Sequence, residues 1–152
     1  MLYREVVSKV LVDAQATRDD IMDGLDWIQK ETTSKDVAMV FVAGHGVNDP
    51  NGIYYFLPVN ADPEKLKRTG VAFSDLKNTL ASIVGKALFF VDTCHSGNVM
   101  GTRRGVADIN AVVNELSSAE NGAVVFAAST GKQYSLEDRA WGRLEGQGRL
   151  QR

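Results

Sequence analysis

"KALFFVDTCHSG" (residues 86–97) runs an apolar segment into an acid, the chain's single cysteine, a histidine and a glycine. Its first part, 86–92, reads as a buried strand that ends where the polar residues begin. A second segment of the same kind, "VAMVFVAG" (37–44), follows Asp36 and ends in Gly44-His45-Gly46. Being apolar at odd and even positions alike, it is expected to be covered on both faces, as parallel strands are. "AVVFAAS" (123–129) is a further strand, and valine-rich "EVVSKVLVD" (5–13) reads as an edge strand interrupted by Ser8 and Lys9.

Helical patterns lie between these strands. Thr17 with Asp20 forms a capping pattern, after which Ile21, Leu25 and Ile28 fall on one face. Ser74 opens a second helix that aligns Leu76, Leu80 and Ile83. "DINAVVNELSSAEN" (108–121) is a third, stopped by Asn121-Gly122. A turn-forming "NDPNG" (48–52) and a short aromatic segment, "IYYFLP" (53–58), fill the space after the first buried strand. Strands alternating with helices predict an α/β fold with a mainly parallel sheet.

At 152 residues the chain suits one domain. Residues 1–142 carry the periodic elements, whereas 143–152, "RLEGQGRLQR", show no periodicity and are expected to be an irregular tail. A net charge of −2 gives no reason to expect nucleic acid or an anionic membrane as partner. No apolar run approaches the ~20 residues of a membrane span, and "MLYREVVSKV" lacks a signal-peptide pattern. One cysteine cannot form a disulfide within the chain, so a cytoplasmic, reducing setting is the expectation.

In an open α/β sheet, ligands gather at the carboxyl ends of strands. His45 and Cys94 are each expected just past such an end. Taken singly, Cys94 reads as a small buried hydrophobe and His45 as a loop residue between turn glycines. As a pair they carry more weight. Metal binding fails on ligand count, because two histidines and one cysteine fall short of a zinc set, and adjacent Cys94 and His95 point apart. A cysteine phosphatase needs Cys-x5-Arg, but that position is Met100, and the nearest arginines are Arg103 and Arg104. The phosphate-binding glycine motifs of nucleotide hydrolases are absent from the sequence. A Cys–His nucleophilic pair survives, in which a thiolate attacks a carbonyl and imidazole protonates the leaving amine.

These residues resemble the caspase-like cysteine peptidases, in particular bacterial caspase homologues and metacaspases. "VAMVFVAGHG" and "KALFFVDTCHSG" carry the resemblance, and "VVFAASTGKQYSLED" (124–138) adds to it. The roughly 50-residue His-to-Cys separation also fits that family. Asp92 stands two positions before the cysteine, where animal caspases have glutamine and metacaspases have aspartate.

The resemblance implies a three-layer sandwich with a six-stranded sheet. It makes Cys94 the nucleophile, His45 the general acid/base and the amides of Gly46 and Cys94 the oxyanion donors. It sets Asp92 at the floor of the pocket for the residue before the scissile bond, implying cleavage after Arg or Lys. Asp92 also has a plainer reading, as a strand-end acid that caps nearby amides, and Gly46 as a turn glycine. His95 and Ser96 are expected to shape the loop, with His95 as the catalytic imidazole a minor alternative. Protein or peptide substrates are implied, along with further domains in a longer parent chain. No cofactor is expected, since the clustered aspartates that bind calcium in many metacaspases have no match.

Residue 5 onward corresponds to the family's second strand, and the strand expected after "AWG" (140–142) is replaced by "RLEGQG". The expectation is therefore a partial domain, lacking the first strand and the C-terminal strands. Two other readings stay open: a caspase-fold interaction module with impaired chemistry, and a different Cys-dependent hydrolase such as a phosphatase.

Overall fold

The computed structural model describes residues 4–95 and 124–127, with the backbone alone for Cys94, His95 and 125–127. Helix α1 spans Arg18–Glu31. Its start follows the capping pattern: the Thr17 hydroxyl oxygen accepts from the Asp20 amide at 3.2 Å and donates to the Asp20 carboxylate at 2.7 Å. Leu25 is buried, and Ile21 and Ile28 pack beside it, so the expected helical face is the one turned inward.

The turn leaving α1 is closed by Asp36. Its carboxylate accepts from the Thr33 hydroxyl at 2.5 Å and from the Thr33 amide at 2.8 Å. The Asp36 carbonyl then accepts from the Lys86 amide at 3.2 Å, which joins the turn to the start of a distant strand.

Five strands follow: β1 (Val37–Asn48), β2 (Tyr54–Phe56), β3 (Val71–Ala72), β4 (Lys86–His95) and β5 (Val124–Ala127). Between β2 and β4 lie the short helix α2 (Leu66–Thr69) and helix α3 (Phe73–Ser82). The sheet order is β3-β2-β1-β4-β5. β1 pairs with β4, and β4 with β5, in parallel; the shorter β1–β2 and β2–β3 pairings are antiparallel. The longest ladder is parallel, in keeping with the expected α/β class.

Burial alternates along the strands as the pleat requires. Ala38 of β1, Ala87, Phe89 and Val91 of β4, and Tyr54 and Phe56 of β2 share one buried face. Leu25 of α1, Phe73, Leu76 and Leu80 of α3, and Ile83 just after it complete that core. Fully burying a side chain such as Phe89 or Leu76 is worth about 1.5–3 kcal/mol, so this face dominates the stabilisation. The other face is different. Met39 and Phe41 of β1 are 58% and 61% exposed, so among the described residues only one face of 37–44 is covered; the helix read over 108–121 lies outside them. Further along the same face, Val47 is buried with Tyr55 and Leu66 in a second, smaller cluster.

Three expectations are corrected. Residues 5–12 form no strand, and Val6, Val7, Val10 and Val12 are exposed. Valine favours sheets through packing against neighbouring strands, and this segment has no ladder among the described residues. Helix α3 begins at Phe73 with Ala72 in the capping position, so Ser74 lies inside its first turn. Val71 and Ala72 are held in β3 against β2, and the chain passes from sheet pairing directly into helix. Strands β1 and β4 also run past the apolar segments that announced them, to Asn48 and His95. The strand read at 123–129 is described as β5. The helix read over 108–121 and the tail 143–152 lie outside the described residues.

The Asp36 turn yields a pH test. Hydrogen bonds from the Thr33 hydroxyl, then from its amide, hold the Asp36 carboxyl below its ordinary value of 3.8. A depressed carboxylate stabilises the fold above its unfolded pKa and loses that contribution as pH falls through the folded value. Asp36→Asn is expected to lower the thermal unfolding midpoint at neutral pH. The difference from wild type should shrink as the pH drops below about 4.

Candidate active site

The parallel ladder between β1 and β4 pairs Ala43 with Asp92, Gly44 with Thr93, His45 with Cys94 and Gly46 with His95. Neighbouring strands lie about 4.8 Å apart, so positions 45 and 94 are lateral neighbours. Both lie within strands rather than just past their ends, as the sequence had suggested. Hydropathy falls off at His45 and Thr93, but backbone pairing does not depend on hydropathy. At Gly46–Asn48 the strand β1 is also held by β2 on its other edge.

His45 is exposed and belongs to the same face of β1 as Met39 and Phe41. Its carbonyl accepts from the Leu57 amide at 2.9 Å, which fixes the backbone beneath the imidazole. Val47, two residues on and on the same face, is buried with Tyr55 and Leu66. Among the described residues, His45 therefore stands between the covered part of this face and its exposed part. Burial holds the Tyr55 phenol above its usual pKa range, with the Asp49 and then the Asp75 carboxylates adding to the shift.

On β4, Ala87, Phe89, Val91 and Thr93 are buried on the core side. Positions 88, 90, 92 and 94 alternate with them on the opposite side, the side of His45. Asp92 is half-buried there. Two residues along a strand span about 6.6 Å, so positions 92 and 94 lie close on one face. Four residues singled out in the sequence, His45, Gly46, Asp92 and Cys94, thus gather at the carboxyl end of one ladder. Ser96 lies outside the described residues. Among the described residues no group of three or more His, Cys, Asp or Glu is placed to hold a metal ion.

Sequence reasoning missed what lies beneath. The hydroxyl of Tyr54, on β2, is 3.1 Å from the hydroxyl of Thr93, on β4, with both residues buried. Strand β1 lies between β2 and β4, so this bond crosses it on the core side. The crossing is possible because Gly46 has no side chain: a Cβ there would collide with the Tyr54 hydroxyl and ring. Gly44 is glycine for a different reason, its φ of +152°, which L side chains rarely adopt. The signal in the sequence was the pair of glycines around His45, with a hydroxyl residue, Thr93, two positions past the last apolar residue of β4.

Gly46→Ala is expected to cost about 1–3 kcal/mol of folding stability through overpacking against Tyr54. In a Tyr54→Ala background the same substitution should cost much less, because the atoms it strikes are gone. Denaturant unfolding of the four proteins in this cycle measures both values.

A family model of the caspase domain matches residues 4–144. No curated protein matches the chain at the stringency applied. The matched span contains every described strand and helix, together with the ladder that sets position 45 beside position 94. The chain belongs to the caspase-domain family of cysteine peptidases.

Proposed function

We propose that the chain is a cysteine endopeptidase in which Cys94 is the nucleophile and His45 the general acid/base. The observation that carries this reading is the register of β1 on β4, which pairs positions 45 and 94 on a face where His45 is exposed. The Cys94 thiolate attacks the carbonyl carbon of the scissile peptide, and the pair of electrons displaced onto oxygen returns as the C–N bond breaks. His45, protonated by the departing thiol proton, gives that proton to the leaving amine. Water, deprotonated by His45, then hydrolyses the thioester and restores the thiol.

The amides of Gly46 and Cys94 are the donors proposed for the oxyanion, a contribution of several kcal/mol where such donors are pre-aimed. Both positions belong to paired stretches of β1 and β4. Offering them to substrate requires only the last pairs of the ladder to open, with Gly44 beside Thr93 still holding the two strands in register. A reduced thiol is needed throughout, which suits a cytoplasmic setting.

Asp92 supports a preference for cleavage after Arg or Lys. Its Cα lies about 6.6 Å along the strand from that of position 94 and on the same face, so its carboxylate would pair with a cationic side chain preceding the scissile bond. Arginine should do best, through bidentate pairing. An aspartate at that substrate position would meet a like charge in a desolvated pocket, at a cost on the order of a thousandfold in rate.

Cys94→Ala and His45→Ala are each expected to abolish cleavage of fluorogenic peptides and labelling by a peptidyl electrophile while leaving the melting transition in place. Full cleavage by Cys94→Ala would refute the reading, and a folded wild type that the electrophile never labels would favour an interaction module. Across peptides that differ only before the scissile bond, wild type should prefer Arg or Lys. Asp92→Asn should lose that preference while Cys94 keeps its reactivity toward a small alkylating agent.

A further inference from the structure

The parallel ladder between β1 and β4 has a registry problem. Side chains repeat every two residues along a strand, so a slip of two residues would leave each apolar residue on the face it now occupies. Val37–Ala43 and Ala87–Val91 are apolar almost throughout, and hydrophobic burial alone distinguishes weakly between the two registers. Such a slip would set His45 beside Asp92 or position 96 instead of Cys94.

The bond between Tyr54 and Thr93 separates these registers. Tyr54 is anchored on β2, whose Phe56 pairs with Gly46 and whose Tyr54 pairs with Asn48. Its ring packs edge-on against Phe56, with centroids 5.2 Å apart and planes at 84°, and covers Gly46. From there its hydroxyl meets Thr93, the register partner of Gly44 and the residue before Cys94. A slip of β4 would break this hydrogen bond between two buried side chains, a loss that the apolar residues do not compensate. Buried polar pairs fix register in this way in other packed interfaces.

We infer that Tyr54 and Thr93 are a positioning pair that locks β4 onto β1 so that Cys94 stays beside His45. Neither residue touches the reacting atoms, because both lie on the core side of the sheet. The inference rests on the proposed Cys94–His45 pair and adds to it the element that holds the two together.

The test uses the full chain and its single cysteine, whose rate of alkylation by iodoacetamide is followed against pH alongside thermal unfolding. Wild type should react at acidic pH faster than an ordinary thiol of pKa about 8.5, and His45→Ala should return to the ordinary profile. Tyr54→Phe and Thr93→Val should each move the profile toward that of His45→Ala, slowing alkylation at pH 6 by at least about threefold. The double variant should be no slower than either single one, and Thr93→Ser should keep the wild-type profile. If Thr93→Val fails to fold, Tyr54→Phe, which loses one oxygen, decides alone. Wild-type profiles for Tyr54→Phe and Thr93→Val, with His45→Ala shifted, would overturn the positioning pair and leave the Cys94–His45 pair standing. A wild-type profile for His45→Ala would overturn both.

Discussion

The parallel ladder between β1 and β4 runs from Val37 beside Lys86 to Gly46 beside His95. The other strands are built outward from it: β2 along the carboxyl end of β1, with β3 beyond β2, and β5 along the middle of β4. Its starting point is set at the Asp36 turn, where one backbone carbonyl receives the first amide of β4. Its far end carries His45 and position 94. Two residues distant in sequence become neighbours because one ladder keeps its register over its whole length.

The two faces of this ladder do different work. On the core side, α1 and α3 cover Phe89, Val91 and their neighbours, and hydrophobic burial supplies most of the stability. On the opposite side Met39 and Phe41 are exposed, whereas Val47 lies under the smaller cluster with Tyr55 and Leu66. His45, which is exposed, and Asp92, which is half-buried, belong to this second side. The glycines around His45 serve the core side instead. Gly46 gives room to the Tyr54 ring, and Gly44 permits a backbone angle that other residues avoid. A loop reading of "GHG" therefore understates it, since the motif is the part of β1 where one face is stripped of side chains.

Much of this architecture was legible in the sequence. The Thr17 cap and the Ile21, Leu25, Ile28 face were read correctly because they depend on local spacing. The strands β1 and β4 were found for the same reason, but their ends were placed too early. Pairing with β2 and β4 holds His45, Gly46 and Thr93 in the sheet, and that support comes from segments far along the chain. Residues 5–12 failed in the opposite sense. Their valines have strand propensity but no described strand beside them, and propensity without a neighbour gives no sheet. The Tyr54–Thr93 bond was invisible for the same reason as the strand ends, since it joins residues whose proximity exists only after three strands have assembled. His45, Gly46, Asp92 and Cys94 were chosen from their motifs, and the fold sets their positions at one end of one ladder.

The central claim is that positions 45 and 94 are paired neighbours across β1 and β4. A His45→Cys variant tests it directly, because Cys94 is the chain's one native cysteine. Paired positions about 4.8 Å apart fall within the Cα range a disulfide can bridge, whereas Ala43 lies diagonally about 8 Å from position 94, beyond it. Under mild oxidation, His45→Cys should form an intramolecular disulfide with Cys94, read by peptide mapping, and Ala43→Cys should not. Ready cross-linking of Ala43→Cys with none in His45→Cys would contradict the register, and with it the placement of the site.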